Sequence, residues 1–255
     1  MTMSITELER SLRSLRLSGM AATMQARAMA VDTQTMNFIE GLSWLVQDEL
    51  DRRQSRLMER RYKLSGLSER KDLKDFDWSY NPRLPKREIF ELAALKFIDG
   101  KEDVLLLGPP GTGKSHVAKA LALLAVQRGY KVLYRESHQL IEDIVEAREL
   151  GTIRKYRAQL KGVDMLVIDD LFLRKLPSSA GDELADLLMS RYEKNSTLVT
   201  SNRQFEDWGK LLGDVVVVAP LLDRLMHHGN LLKFEGKSWR LKEAAERLAR
   251  QSAKS

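Results

Sequence analysis

The sequence predicts an α/β fold, a parallel sheet flanked by helices, preceded by a small all-α amino-terminal domain. Three observations predict it. From Val104 onward, short continuous apolar runs recur, each separated by a helical stretch. Continuous apolarity is what a strand buried on both faces requires, and strands alternating with helices build βαβ units. The first run leads directly into a glycine-rich turn at Gly108. Before residue 80, by contrast, apolar residues recur at helical spacing and no alternating pattern appears.

In chain order, Ile5, Leu8, Leu12 and Leu15 mark one helix, and Phe38, Ile39, Leu42, Leu45, Val46 and Leu50 mark another. The second runs into Arg52, Arg53, Arg56, Arg60 and Arg61; six basic residues between Arg52 and Lys63 face one acidic residue, Glu59. Asn81-Pro82-Arg83-Leu84-Pro85 breaks helical pattern twice and reads as a linker, giving domains 1–80 and 81–255. Lys86 to Asp99 is expected to be an amphipathic helix with Ile89, Leu92, Ala93 and Leu95 as its apolar set. Strands are expected at Val104–Leu107, Lys131–Tyr134, Met165–Ile168, Thr197–Thr200 and Leu231–Phe234, with a terminal helix over Trp239–Arg250. Val215–Val218 is open: its β propensity favours a strand, but the following Leu-Leu-Asp-Arg-Leu is helical in pattern. There is no internal repeat and no low-complexity tract.

Composition bounds the function. In 255 residues there is no cysteine, which excludes disulfides, Cys-ligated zinc, iron–sulfur clusters and a thiol nucleophile. The four His (His116, His138, His227, His228) lack ligand spacing, which argues against a metal site built from protein ligands alone. Lys and Arg outnumber Asp and Glu by 42 to 36, an excess that permits a polyanionic partner without proving one. No 18-residue apolar run and no signal-peptide pattern appear, so a soluble, cytoplasmic protein with no membrane partner is expected.

The strongest signal is Gly108-Pro109-Pro110-Gly111-Thr112-Gly113-Lys114-Ser115, a G-x-x-x-x-G-K-[ST] loop between an apolar strand and an amphipathic helix. Glycines let the backbone wrap a phosphate so that amide N–H groups point inward. Lys114 supplies a point charge to the β/γ-phosphates, Ser115 a hydroxyl to Mg²⁺, and the helix start a positive dipole end. His116 follows on the first turn and joins this nucleotide-contacting set. Met165-Leu166-Val167-Ile168-Asp169-Asp170 is an apolar strand ending in two carboxylates. Asp169 fits the Mg²⁺ residue that such a loop needs at a neighbouring strand's carboxyl end. Asp170 either polarises the attacking water or caps the following turn. Thr200-Ser201-Asn202 ends another strand, and Asn202 presents its amide beside the γ-phosphate if that strand lies next to the loop's own. Arg224 and Arg240 are candidates to stabilise charge on a transferring phosphoryl, in the second case or the first from a neighbouring subunit, against the commoner fate of a surface arginine.

The order of these segments, with Leu221-Leu222-Asp223-Arg224-Leu225 and Ser238-Trp239-Arg240, resembles the AAA+ ATPases of the DnaC/IstB group, closest to IstB, the helper ATPase of insertion-sequence transposition. Leu15-Arg16-Leu17-Ser18-Gly19-Met20, Asp75-Phe76-Asp77-Trp78 and the stretch from Leu212-Gly213-Asp214 to Met226-His227 extend the likeness over nearly the whole chain. The resemblance implies a P-loop AAA+ core, ATP and Mg²⁺ as cofactors, Lys114 and Ser115 as Walker A residues, Asp169 as the Walker B residue and Asn202 as a sensor. It implies Arg224 as an arginine finger given to the next protomer's ATP and Arg240 as a second sensor. Many AAA+ proteins carry Glu where this chain has Asp170, one methylene shorter, which suits a slow switch better than a motor.

The family couples ATP binding to oligomerisation around DNA, so the implied partners are double-stranded DNA, an IstA-like transposase and further copies of the chain joined through composite ATP sites. His138–Lys161 occupies the place of the family's extra helix, where Arg154, Arg157 and Lys161 fall on one face with Lys155 beside them. That face, and Arg52, Arg53, Arg56 and Arg60, are the candidate phosphate-backbone contacts, set against ordinary solvated helix surfaces. The alternative functions are a DnaC-like replicative-helicase loader and a non-catalytic nucleotide-gated scaffold.

Overall fold

The computed structural model describes residues 3–33, 37–173, 178–204, 206–208 and 222–252. Val215–Val218 and the Leu212-Gly213-Asp214 segment lie outside the described residues. The chain forms two compact units, Met1–Arg60 and Arg61–Ser255.

The first unit is helical. Helix α1 (Ile5–Ser14) begins at a capping box in which the Ser4 side chain accepts from the Glu7 amide and the Glu7 carboxylate accepts from the Ser4 amide. In this way donors that a helix start leaves orphaned are satisfied. Helices α2 (Ser18–Thr33) and α3 (Phe38–Ser65) follow. Gly19 lets these two approach closely, since a Cβ there would stand 2.6 Å from the Asp48 carbonyl oxygen. Its amide donates to the buried Glu49 carboxylate, and Arg27 pairs with Asp48 through two bonds of 3.0 Å. Leu12 and Leu45 turn inward, while Phe38, Ile39, Leu42, Val46 and Leu50 of the apolar pattern are exposed.

The second unit is built on a five-stranded, wholly parallel sheet: β1 (Val104–Leu107), β2 (Val132–Glu136), β3 (Met165–Leu171), β4 (Ser196–Ser201) and β5 (Asn230–Lys233), in spatial order 2-3-4-1-5. All five strands expected from the sequence are present, the first with the expected ends and the others with ends shifted by at most three residues. Alternate residues serve opposite faces: Val104, Leu106, Val132, Val167 and Leu198 enter one core with helix α6 (Lys114–Gln127), while Leu105, Leu107, Leu133, Ile168 and Val199 enter the other with α7 (Ser137–Glu149), α8 (Ile153–Gly162) and α9 (Ser178–Arg191). Both faces being covered explains why these strands are apolar throughout. Residues 61–80 add Leu67 and Leu73 to the first of these cores, with Phe76 and Trp78 packed against it.

Two expected helices are broken. Lys86–Asp99 is α4 (Lys86–Leu92) and α5 (Lys96–Asp99), parted where Leu95 takes a left-handed φ of 63° and buries its side chain. His138–Lys161 is α7 and α8, parted at Gly151, whose φ of 67° suits a glycine after a helix end. The terminal helix α10 spans Trp239–Ser252. Among the described residues, no helix is long and apolar enough to cross a membrane.

Candidate nucleotide site

The glycine loop joins the carboxyl end of β1 to α6, and every glycine in it is required. Gly108, Gly111 and Gly113 have φ of 151°, 77° and 102°. A Cβ would stand 2.0 Å from the Phe234 carbonyl oxygen at Gly108, 2.1 Å from Ser238 Oγ at Gly111 and 2.4 Å from the Phe76 ring at Gly113. The loop is held from outside, as the Gly108 amide donates to Ser201 O and the Trp239 amide to Gly111 O, 2.9 Å. Inside it, Thr112 Oγ1 donates to Pro109 O at 2.8 Å. Lys114 Nζ donates to Gly108 O and Pro109 O, 2.7 and 2.8 Å, from a buried position. Burial lowers the Lys114 pKa, and the charges of Asp170 and Asp169 work against that fall. Helix α6 starts at Gly113 with no side-chain cap and no acidic residue in its first turn, so its amino-terminal amides are open to an anion. A glycine-only cradle, a buried ammonium and an uncapped helix start together fit a nucleotide's phosphates. Ser115 is half-buried beside Lys114. The His116 ring instead is held by Asp72, with Nε2 2.9 Å from its carbonyl oxygen, and edge-on to Phe76.

The two carboxylates behave differently. Asp169 is buried, and both its oxygens accept: Oδ2 from Tyr134 Oη at 2.6 Å and Oδ1 from the Thr200 hydroxyl. Thr200 Oγ1 in turn accepts from the Asp170 amide at 2.8 Å. Between Ile168 and Leu171 the β3–β4 register shifts, and Asp170 takes a φ of 54°. This irregularity aims Asp170 differently from a residue in regular strand. Burial, then the charge of Asp169, raise the Asp170 pKa, while Lys114 and Arg240 oppose them. The Ser115 hydroxyl and the Asp169 and Asp170 carboxylates offer hard oxygen donors of the kind that Mg²⁺ prefers. The sheet order corrects one expectation, because β3 is not the loop strand's neighbour. Strand β4 lies between them, paired to both. That same order meets the condition set for Asn202, which follows β4 next to β1 and is half-buried.

The arginines part company. Arg240, exposed on α10, is close enough to act on both Lys114 and Asp170. Arg224, exposed, bonds Met189 Sδ at 3.0 Å and lies over the Tyr192 ring at 5.7 Å. The end of α9 is fastened by Arg191 to Ser196 O and Thr197 Oγ1 at the start of β4. Arg224 therefore sits at the amino ends of the strands, away from its own loop. Of the basic faces, Arg154, Lys155 and Lys161 are exposed, whereas Arg157 is bound to the buried Glu183, which Arg148 also engages. Arg52, Arg56 and Arg60 are exposed on α3, and Arg53 pairs with Glu49 at 2.6 Å.

Sequence reasoning missed the residues that hold the site: Tyr134, Thr200, Ser238 and Phe76. Thr200 lay inside a quoted motif, but its partner was set by strand order. Tyr134 carried no signal beyond ending an apolar run.

A parallel 2-3-4-1-5 sheet with a phosphate loop after β1 and paired carboxylates on β3 defines a P-loop nucleotide-binding protein of the AAA+ class. Within that class, the sequence model of the IstB-like ATP binding protein family matches residues 10–247, and the chain belongs to that family. A Geobacillus stearothermophilus protein named as an ATP-binding protein of insertion sequence IS5376 is 35% identical over 90% of this chain and 91% of its own. One of Pseudomonas aeruginosa, named for insertion sequence IS21, is 35% identical over 93% and 89%. Among solved structures, AMPPCP-bound DnaA from Aquifex aeolicus is 26% identical with a TM-score of 0.56, over 72% of this chain and 56% of that one. The DnaC helicase loader shares the fold, with a TM-score of 0.52 at 18% identity over 69% and 99%.

Proposed function

We propose that this ATP-binding protein is a slow ATP hydrolase that binds ATP with Mg²⁺, assembles on target double-stranded DNA and stimulates the transposase of its insertion sequence. The observation carrying this reading is the separation of its two arginines. Lys114, Asp169, Asp170 and Arg240 gather at one end of the sheet, while Arg224 stands exposed at the other. A cation placed so serves the phosphates of a second copy better than its own, which makes the nucleotide the joint between protomers. Names of relatives that tie them to insertion sequences support the transposition setting.

In this reading the loop amides and Lys114 bind and orient the phosphates, and Ser115 and Asp169 hold Mg²⁺, which neutralises phosphate charge when bound. Asp170, kept basic by burial and by Asp169, accepts a proton from the attacking water at its carboxylate. Asn202 orients that water. Arg154, Lys155, Lys161 and the α3 arginines Arg52, Arg56 and Arg60 meet the DNA backbone without reading bases.

The test is the mass of the full chain with a non-hydrolysable ATP analogue and Mg²⁺, with and without random-sequence duplex, beside Lys114→Ala and Arg224→Ala. Large assemblies on duplex that need nucleotide and vanish in both variants are expected. A chain that ignores duplex but joins a hexameric helicase is a loader instead.

A further inference from the structure

The chain folds three metal-binding side chains together that are scattered or merely adjacent in sequence. Glu193, in the turn two residues after α9, and His227 and His228, at the end of the helical residues 222–227, offer ligand atoms that all lie within 4.8 Å of one another. All three side chains are exposed, so an ion reaches them from solvent. The two imidazoles lie with ring centroids 4.0 Å apart, and His228 Nε2 is 3.5 Å from Glu193 Oε1. That separation is long for a hydrogen bond but close to the edge, about 3.3 Å, of a tetrahedron whose bonds are about 2.0–2.2 Å. Tyr192 Oη stands 2.8 Å from His227 Nδ1, the kind of outer partner that fixes a ligating ring. Glu193 holds a left-handed φ of 56°.

We propose that Glu193, His227 and His228 form a Zn²⁺ site that pins residues 222–228 to the end of α9. Two imidazoles and one carboxylate suit zinc and disfavour Mg²⁺ or Ca²⁺, which take oxygen ligands. The fourth position stays open to water. Arg224 rides on the pinned segment and packs on Tyr192, the residue next to Glu193, so the ion fixes the orientation of that guanidinium. The site needs neither ATP nor DNA, and its test is independent of the reading above.

The test uses the tag-free full chain, stripped of metal with a chelator. Zn²⁺ is titrated against a chromophoric chelator, with hydrogen exchange of residues 222–230 followed in parallel. One equivalent per chain is expected, with Glu193→Gln, His227→Ala and His228→Ala each weakening affinity by at least about tenfold. Circular dichroism confirms that these exposed substitutions leave the fold intact. Exchange in 222–228 slows on Zn²⁺ addition only in the unsubstituted chain. Uptake that is unchanged in these variants, or lost instead in His116→Ala or His138→Ala, overturns the site. Uptake without slowed exchange in 222–228 overturns the pin.

Discussion

The glycine loop and the basic helix faces are both read from the sequence as phosphate contacts, yet the fold treats their charges in opposite ways. Around the loop, Lys114 and Asp169 are buried with their polar atoms bonded, and each glycine conformation is enforced by a neighbour. On α3 and α8 the cations stand in solvent, and where one is engaged, as Arg157 is by Glu183 and Arg53 by Glu49, it serves the fold. A bound nucleotide thus meets a surface already in place. On the proposed reading, a DNA backbone would meet solvent-exposed side chains whose contribution is electrostatic and set by salt.

Substitutions can break or sharpen this contrast. Gly108→Ala, which forces a Cβ into the Phe234 carbonyl, is expected to cost about 2–4 kcal/mol of stability, read from chemical denaturation. Lys114→Ala should weaken a fluorescent ATP analogue by about 100-fold with little change in fold, close to 3 kcal/mol.

Asp103 tests the buried end of the sheet opposite the loop. It accepts from the Thr197 amide at 2.7 Å, and burial pushes its pKa up to about 6, against the pull of that bond and of Arg191. The folded value lies above the unfolded one, so this contribution is full below about pH 4 and is lost as pH rises through about 6. Stability should fall by an amount on the order of 2–3 kcal/mol over that window, and Asp103→Asn should flatten the fall. Tyr134→Phe removes one donor from buried Asp169 and should cost about 1–2 kcal/mol. Smallest in energy, and sharpest for the comparison, is the salt slope of duplex binding. Arg154→Ala with Lys155→Ala should reduce it by about 1.8, and the Arg52, Arg56 and Arg60 triple alanine by about 2.7. Arg157→Ala should instead lower stability, leaving Glu183 with one partner fewer, and barely change the slope.

These differences also explain what was legible in the sequence. The five strands were, because burial on both faces writes itself as continuous apolarity. The loop was, because its glycines and Lys114 are adjacent and their spacing is the chemistry. Side chains that meet only through the fold were not: Tyr134 and Thr200 with Asp169 follow from the 2-3-4-1-5 arrangement, and Glu193 meets the two histidines only in the folded chain. Breaks at Leu95 and Gly151 were missed because helical periodicity survives on either side of them. The pairing of Arg157 was missed for a related reason. A helix-face count registers charge spacing and is blind to a carboxylate arriving from α9.

Thr200 gives the site a mechanical property that no single motif carries. One hydroxyl donates to the Asp169 carboxylate and accepts from the Asp170 amide. It works as a rivet through two adjacent strands at the point where their register slips. Strand β4 cannot slide along β3 without breaking both bonds together, so a push on its end, beside Asn202, is delivered to the Asp169 carboxylate and the Asp170 backbone at once.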